Sequence, residues 1–306
     1  MLKITQLFLL LLVAPLVAHA DEAPMFAEQA GTHGFLFEVV PKGSSTAKLF
    51  LYGTLHVGTE AVTPFTHAVK QSLRASAQLA LEVDPSDVGG MARLVGPMVM
   101  YPADDSLERH VPAATLAELK KVLPRYKLAE ATVMRMRLWM VGMMLGLAEA
   151  ELLGYKASFG TENFLAAYAK THGMPIVEVE GAEAQLKIIG GEPEAVQLAA
   201  LVDGLQDLAS GKSTKKLHEI VTMWTSSDPK TAEALLREAH TSKRPSERAF
   251  AKHLLDDRNL TMIARAEEYL RGPKTTFMAV GSLHLFGPQG LVALLRKRGY
   301  ELRELR

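Results

Sequence analysis

Four polar residues stand at or just after the ends of short apolar segments that are typical of buried strands. Two are histidines, His56 and His284, and two are glutamates, Glu82 and Glu180. A carboxylate in such a segment is costly to bury unless it is paired, protonated or bound to a metal. Two neutral imidazoles with carboxylates are a common ligand set for a divalent metal. These residues therefore form the first candidate site.

The chemistry expected of such a site is metal-assisted hydrolysis. Both histidines and one or both glutamates would hold the metal, for which Mn²⁺, Co²⁺ and Zn²⁺ are all suitable. The other glutamate would act as a general base toward water, and the sequence does not decide which glutamate has which role. Arg258, in a helical stretch, could bind a substrate carboxylate or a developing oxyanion.

The two histidines lie in a repeated pattern. Residues 49–56 and 277–284 align without a gap, each with four apolar residues followed by Gly, a hydroxyl residue, Leu and His. A helical pattern and then a short strand follow each copy, at 65–77 and 79–84, and at 288–298 and 300–305. Strand ends of α/β folds are where ligand sites form. The repeat therefore predicts two pseudo-equivalent halves that meet at one site.

Each of these residues also has a purely structural interpretation. A single histidine after a strand is more often a hydrogen-bonded structural residue than a ligand. Glu178 and Glu180 alternate along one strand and could form its solvent-facing side. Arg258 could lie on a solvated helix face. The duplicated setting of the histidines is what favours the metal-site hypothesis.

Composition excludes several other classes of protein. The 306 residues are 48% hydrophobic, enough for a sizeable core, and Lys+Arg equals Asp+Glu at 34 each. Without a basic excess, no nucleic-acid partner is expected. The chain has no cysteine, which excludes disulfides, thiolate metal sites and a cysteine nucleophile. Phosphate-binding loops, dinucleotide fingerprints and Gly-x-Ser-x-Gly elbows are absent from the sequence.

Residues 1–20 have the pattern of a signal peptide. Lys3 supplies a positive charge, 7–17 form an apolar run, and 18–20 read Ala-His-Ala, as at a cleavage site. The apolar run is short for a membrane span, and an uncleaved anchor is the alternative. We therefore expect a periplasmic protein whose mature chain, 21–306, has no stable membrane span.

The mature chain predicts one α/β domain with a central mixed sheet. Further strands are predicted at 34–40, 48–52, 79–83 and 175–181. Strands lie near both ends and the middle, and helical insertions are expected at about 86–155 and 183–271. Within the first insertion, the Met-rich segment 134–153 predicts a buried helix, with a flexible Met-rich binding surface as the alternative.

The sequence resembles the TraB/GumN family, which includes the Tiki metalloproteases, over about 34–306. Five motifs in order carry the resemblance: Gly-Thr-Leu-His at 53–56, Leu-Glu-Val-Asp at 81–84, Glu-Gly-Ala-Glu-Ala-Gln-Leu at 180–186, Arg-Asn at 258–259, and Val-Gly-Ser-Leu-His-Leu-Phe-Gly at 280–287. The chain departs from the family at 160–162, where Gly-Thr-Glu stands in place of Gly-x-Asp.

The resemblance implies a compact α/β fold with two Gly-x-x-His units and, in the Tiki branch, peptidase activity supported by Mn²⁺ or Co²⁺. His56 and His284 match the two Gly-x-x-His histidines. Glu82 and Glu180 match the acidic positions, and Arg258 matches the Arg of the Arg-Asn pair.

Three functional hypotheses follow. The favoured one is an exported metal-dependent hydrolase, a peptidase acting on a peptide or protein. The second is a non-catalytic periplasmic protein that binds haem, a metal or a peptide in the same cleft. The third is a structural or regulatory partner protein in which the histidines only brace the strand ends. Neither the substrate nor the oligomeric state follows from the sequence.

Overall fold

The computed structural model describes residues 33–40, 47–85, 96 and 98–306. The predicted signal peptide, residues 41–46 between the first two predicted strands and the start of the first helical insertion lie outside the described residues.

A mixed sheet forms the centre of the described chain, with six strands in the order β4-β3-β5-β2-β1-β6. The strands are β1 Phe35–Val40, β2 Leu49–Thr54, β3 Gln78–Leu81, β4 Ile176–Glu178, β5 Thr276–Gly281 and β6 Glu301–Leu305. β1 pairs antiparallel with β2 and β6, whereas β2 with β5, β5 with β3, and β3 with β4 are parallel. The predicted α/β class with a mixed sheet is confirmed.

Helices occupy the described parts of both predicted insertions. They are α1 His67–Arg74, α2 Ala113–Val122, α3 Glu130–Val133, α4 Leu138–Leu152, α5 Thr161–Thr171, α6 Ala182–Gly190, α7 Glu194–Ala209, α8 Lys212–Thr225, α9 Pro229–His240, α10 Pro245–Ala251, α11 Arg258–Arg271 and α12 Leu291–Lys297. A π-helical segment, Lys252–Asp257, joins α10 to α11, and a short 3₁₀ turn, Ser282–Leu285, follows β5. Within the described ranges, no helix combines the length and apolar character that a membrane span requires.

The central strands are apolar along their whole length because both faces of the sheet are covered. Every residue of β2, β3 and β5 is buried, as expected for parallel strands between helices. β6, at the edge, has alternating half-buried and exposed residues. The apolar runs that predicted buried strands therefore mark the middle of the sheet.

The chain segments that follow the neighbouring parallel strands β2 and β5 run toward opposite ends of the sheet. β2 leads through α1 to β3 on one side of β5, and β5 leads through α12 to β6 on the far side of β2. Such crossovers are right-handed in almost all proteins, so α1 and α12 are expected on opposite faces of the sheet. The carboxyl ends of β2 and β5 therefore flank a topological switch point, where α/β sheets open a ligand crevice.

The predicted buried helix of the Met-rich segment is confirmed as α4. It packs between two apolar cores: Trp139 and Met143 belong to the core around the sheet, whereas Val141 and Leu145 belong to a second core within the helical insertions. Because α4 is covered on opposite sides, it is apolar all round rather than amphipathic.

Candidate functional site

The four predicted site residues follow the carboxyl ends of four adjacent parallel strands. His56 lies two residues after β2, His284 lies in the turn after β5, Glu82 follows β3 directly, and Glu180 lies two residues after β4. Since β4, β3, β5 and β2 are neighbours in that order, the sheet gathers these residues along one edge. Residues separated by long helical insertions are thereby brought to one place.

The repeat is displaced by one residue in the sheet. Sequence alignment places Gly53 beside Gly281, but the strand register pairs Gly53 with Val280 and Thr54 with Gly281. The two copies therefore form parallel neighbouring strands, β2 and β5. Equivalent residues of the two copies do not lie opposite each other in the sheet.

Gly281 is the point on which three of the side chains converge. A Cβ atom at this position would lie 2.8 Å from His56 Nε2, 3.5 Å from Glu82 Oε1 and 3.5 Å from His284 Cδ2. The backbone of Gly281 has φ −51° and ψ 135°, which other residues adopt readily. Space for the two rings and the carboxylate, rather than backbone conformation, is therefore what glycine provides here.

Glu82 is a buried carboxylate whose two oxygens both accept hydrogen bonds. Oε1 accepts from the Gly281 N–H at 2.6 Å, and Oε2 accepts from Gln185 Nε2 at 2.9 Å and from Arg258 Nη2. Burial alone would raise the pKa of Glu82, but the Arg258 guanidinium and the hydrogen bond from the Gly281 N–H outweigh it and lower that pKa well below its usual range. Glu82 is thus held in its ionised form.

Arg258 joins the two predicted glutamates, so its alternative position on a solvated helix face is wrong. Its guanidinium is fully buried and donates to Glu180 Oε2 from Nη2 at 2.7 Å and from Nε at 3.1 Å. It also donates from Nη2 to Glu82 and from Nη1 to the Leu254 carbonyl at 3.2 Å. Most of its N–H groups are therefore committed to the protein itself.

The two glutamates of the fourth predicted strand have different surroundings. Glu178 ends β4 as an exposed residue, and its Oε1 accepts from the Asp84 N–H at 2.8 Å. Glu180 lies beyond the strand with its side chain only 3% exposed. The interpretation of both as one solvent-facing side fails, because β4 ends at Glu178 and the chain then turns Glu180 toward Arg258.

His284 is held in one tautomer by Asn259. The ring Nδ1 lies 2.7 Å from Asn259 Oδ1, and Asn259 Nδ2 donates to the Gln289 carbonyl at 2.8 Å, which orients the amide. Because Oδ1 can only accept, Nδ1 carries the proton and Nε2 carries the lone pair. Burial and the nearby Arg258 charge lower the pKa of His284 to about 3, so the ring is neutral.

His56 is held in a similar way by a carboxylate. Its Nδ1 forms a close ion-pair contact with Glu162 Oε1, and both side chains are partly exposed, at 16% and 19%. Burial would lower the pKa of His56, but the carboxylates of Glu162 and Glu82 outweigh that effect and raise the pKa. Among the described residues, the Nε2 atoms of His56 and of His284 are both buried and have no hydrogen-bond partner.

The start of α5 positions Glu162 against His56. The Thr161 N–H donates to the Leu55 carbonyl at 2.8 Å, and Thr161 Oγ1 accepts from the Leu55 N–H at 2.9 Å. Gly160 packs so closely that a Cβ there would lie 2.6 Å from the His56 carbonyl oxygen. Gly160 is the N-cap of α5, and the Thr161 side chain binds the neighbouring strand end.

The chain matches the TraB/PrgY/gumN family over residues 36–304. It belongs to the TraB/PrgY/gumN family. Its relatives include the uncharacterized protein YbaP of Escherichia coli (strain K12) and that of Shigella flexneri, each 25% identical over 246 residues. Those alignments cover 80% of this chain and 87% of the relative. No solved structure gives a significant match. The predicted family is thus confirmed.

Three further residues of this TraB/PrgY/gumN site were not assigned roles from the sequence. Gln185 is 1% exposed and donates to Glu82 Oε2 at 2.9 Å and to Glu180 Oε2 at 3.2 Å, so it bridges the two carboxylates. Asn259 orients His284, and Glu162 orients His56. Gln185 lies within the motif at 180–186 and Asn259 within the motif at 258–259, whereas Glu162 stands where the chain departs from the family pattern.

The π-helical segment Lys252–Asp257 delivers two consecutive residues to the site. Arg258 reaches the glutamates and Asn259 reaches His284, and both are almost fully buried at the first turn of α11. π-helical turns recur at functional sites because they shift the phase of the helix that follows. The shift accounts for a charged side chain and an amide facing the interior side by side.

The side chains fit a divalent cation in their chemistry, although they are not grouped as a complete set of ligands. In the part of the chain that the structure describes, no three His, Asp or Glu side chains form a ready metal cluster. However, His56 Nε2, Glu82 Oε1 and the ring edge of His284 at Cδ2 all border Gly281, and the Nε2 atoms of both rings have no partner there. Polar partners on Nδ1 of each ring are the usual support behind metal-binding histidines.

The formal charges of the site also fit a cation. Glu82, Glu162 and Glu180 are opposed by Arg258, so with neutral histidines the carboxylates exceed the guanidinium by two charges. Buried negative charge is costly unless a positive group compensates it. A divalent cation beside Gly281 would compensate it fully.

Proposed function

We propose that this TraB/PrgY/gumN protein is a metal-dependent hydrolase, specifically a peptidase. The observation that carries the proposal is the pair of imidazole nitrogens, His56 Nε2 and His284 Nε2, which are buried without a hydrogen-bond partner among the described residues and belong to two rings that border one glycine. A buried polar atom of this kind is normally satisfied by a hydrogen bond or a metal. Two of them together, each oriented through Nδ1, favour a shared cation.

The residues that would hold the cation are His56, His284 and Glu82, with Mn²⁺ or Co²⁺ favoured and Zn²⁺ also suitable. When bound, the cation would lower the pKa of water and polarise a substrate carbonyl. Glu82 is assigned as the ligand because its Oε1 borders the same point as the two rings. Its second oxygen is occupied by Gln185 and Arg258.

Glu180 is assigned as the general base. Its Oε2 accepts three hydrogen bonds, from Gln185 Nε2 and from Arg258 Nε and Nη2, whereas within the described chain Oε1 has only a 3.2 Å contact with Arg258 Nε. Oε1 would therefore take the proton from the attacking water and pass it to the leaving amine. Arg258, with most of its donors used by the protein, would position both carboxylates rather than bind the substrate.

The non-catalytic alternative loses its main sequence support in the fold. Its main support is the Met-rich segment 134–153, in which Met143 is fully buried, Met134 and Met136 are at most 9% exposed, and Met140 and Met144 are half-buried against the two cores. Such a segment does not offer a flexible methionine surface for haem or a peptide. The hydrolase is therefore the function that we carry forward.

The test combines metal binding and turnover on a peptide library with Mn²⁺, Co²⁺ or Zn²⁺. Wild type should bind metal and cleave, and His56→Ala and His284→Ala should each lose both properties. His218→Ala, a change on the exposed face of α8 outside the site, is the control that should keep them. Turnover that resists chelators, or full activity in both site variants, would refute the proposal.

We also propose that the protein is exported to the periplasm, on the basis of the pattern in residues 1–20. N-terminal sequencing of protein from a periplasmic extract should begin at Asp21. Recovery of the uncleaved chain from the membrane fraction would instead support the anchor.

A further inference from the structure

A small apolar cavity lies between α4, α6, α7 and α10, beside the proposed catalytic centre. Its walls include Leu138, Trp139, Ile188, Val196, Ala200 and Leu254. About 40 Å³ is open to the centres of water molecules, which is room for roughly three waters. Because Ile188, Val196 and Ala200 are only half-buried, the cavity reaches the surface.

A polar group with no acceptor lies in the wall of this cavity. Trp139 is 5% exposed, and its indole Nε1 has no hydrogen-bond partner among the described residues. The indole passes close to Gly190, where a Cβ atom would lie 3.0 Å from Nε1. Buried tryptophan N–H groups normally find an acceptor. The matching occupant of the cavity is small and apolar, like most of its walls.

Two elements connect the cavity to the carboxylates of the proposed centre. On α6, Gln185 donates to Glu82 and Glu180, and Ile188 lies one turn further on, a rise of about 5 Å. On the π-helical segment, Leu254 lines the cavity while its carbonyl accepts from Arg258. Leu254 therefore belongs both to the wall of the cavity and to the support of the Arg258 guanidinium.

We propose that this cavity is a substrate side-chain pocket for an aliphatic residue of valine or leucine size. Three waters occupy about the volume of three or four carbon groups, which matches these side chains and excludes aromatic ones. The side chain lies against the Trp139 indole, which lines the pocket. The assignment depends on the proposed peptidase function for its role in specificity, but not for the binding of the side chain itself.

The binding test follows the two tryptophan indole N–H signals by NMR, since the chain has two tryptophans. Trp139→Phe assigns the signal of Trp139. Millimolar N-acetyl-leucine amide should move that signal and leave the Trp224 signal in place, with an apparent Kd at least tenfold lower than that of N-acetyl-glycine amide. An unmoved Trp139 signal, or equal responses to both amides, would overturn the pocket.

A matched pair of substitutions on α7 tests the location. Ala200→Leu fills the cavity, whereas Ala199→Leu adds the same groups to the exposed neighbouring position. The leucine-amide response should be lost in Ala200→Leu and retained in Ala199→Leu. A response that survives in Ala200→Leu would overturn the assignment to this cavity.

Cleavage of a peptide library separates this inference from the proposed function. Wild type should prefer valine or leucine at one substrate position, and Ala200→Leu should shift the preference toward glycine or alanine at least tenfold in kcat/KM. Unchanged preference in Ala200→Leu would overturn the pocket alone. Absence of turnover with every metal would overturn the peptidase, and the NMR response would then decide the pocket by itself.

Discussion

Two buried clusters in this protein have similar composition but differ in the pKa values of their carboxylates. At the sheet edge, Arg258 contacts two glutamates. In the helical insertion, Arg244 lies 2.9 Å from Asp203, 3.4 Å from Glu247 and 3.6 Å from Asp207. Both clusters therefore place more carboxylates than guanidinium groups in the interior.

The two clusters differ in what happens to their protons. Arg258 is fully buried and helps keep Glu82 ionised. Arg244 is 16% exposed, and burial together with Glu247 raises the pKa of Asp207 to about 7 and that of Asp203 to about 6. The helical cluster thus relieves part of its excess negative charge by taking up protons as the pH falls through neutrality. The cluster at the sheet edge stays charged and has two imidazole nitrogens beside it, as a cation site requires.

The largest expected effect comes from removing each arginine. Arg258→Met leaves two buried carboxylates without their cation and should lower the free energy of unfolding by about 3–5 kcal/mol. Arg244→Met should lower it by about 1–2 kcal/mol, since its partners can take up protons. Urea unfolding at pH 7 measures both values. Equal losses would remove the distinction between the clusters.

Gly281→Ala should affect metal binding far more than stability. The new Cβ would lie 2.8 Å from His56 Nε2, so the ring must move away from the shared point. We expect at least a 100-fold loss of Mn²⁺ affinity by calorimetric titration, with about 1–3 kcal/mol lost from the free energy of unfolding. Gly272→Ala, where the nearest atom would be 3.4 Å away, is the control and should leave affinity unchanged. Wild-type affinity in Gly281→Ala would contradict the convergence at this glycine.

Glu162→Gln should weaken metal binding by about 10- to 100-fold, because it removes the charge that orients and polarises His56. The exposed Glu183→Gln on α6 is the matched control. Calorimetric titration with Mn²⁺ and Co²⁺ measures the change. A Glu162→Gln variant as tight as wild type would reduce this contact to a surface ion pair.

The smallest effect is a change in the pH dependence of stability from the helical cluster. The raised pKa of Asp207 means that the folded state holds a proton that the unfolded state has released above about pH 4. Its contribution to stability is therefore present below pH 4 and lost as pH rises toward about 7. Asp207→Asn should flatten that decline, with a gain of about 1–2 kcal/mol relative to wild type between pH 5 and pH 8. Parallel profiles for both proteins would contradict it.

The strand-end residues could be predicted because their signal is local. Short apolar runs and the repeated Gly-x-x-His pattern identified His56 and His284, and the lone carboxylate after Leu-Ala-Leu identified Glu82. Parallel packing then brought the strand ends together, as the carboxyl-end rule of α/β folds predicts.

The supporting residues could not be predicted because their signal is not local. Asn259 and Gln185 lie on helices, where a polar residue looks the same whether it faces solvent or another element. Their roles depend on the π-helical segment before α11 and on the position of α6, which no short pattern determines. The one-residue displacement between β2 and β5 likewise depends on pairing across more than 220 positions of chain.

Diffraction from crystals grown with Mn²⁺ tests the central claim most directly. Anomalous scattering should reveal one strong peak beside Gly281, at about 2.0–2.3 Å from both His56 Nε2 and His284 Nε2, with Glu82 Oε1 as a third neighbour. A map without that peak, or with either Nε2 atom bonded to another protein group, would contradict the proposed metal centre.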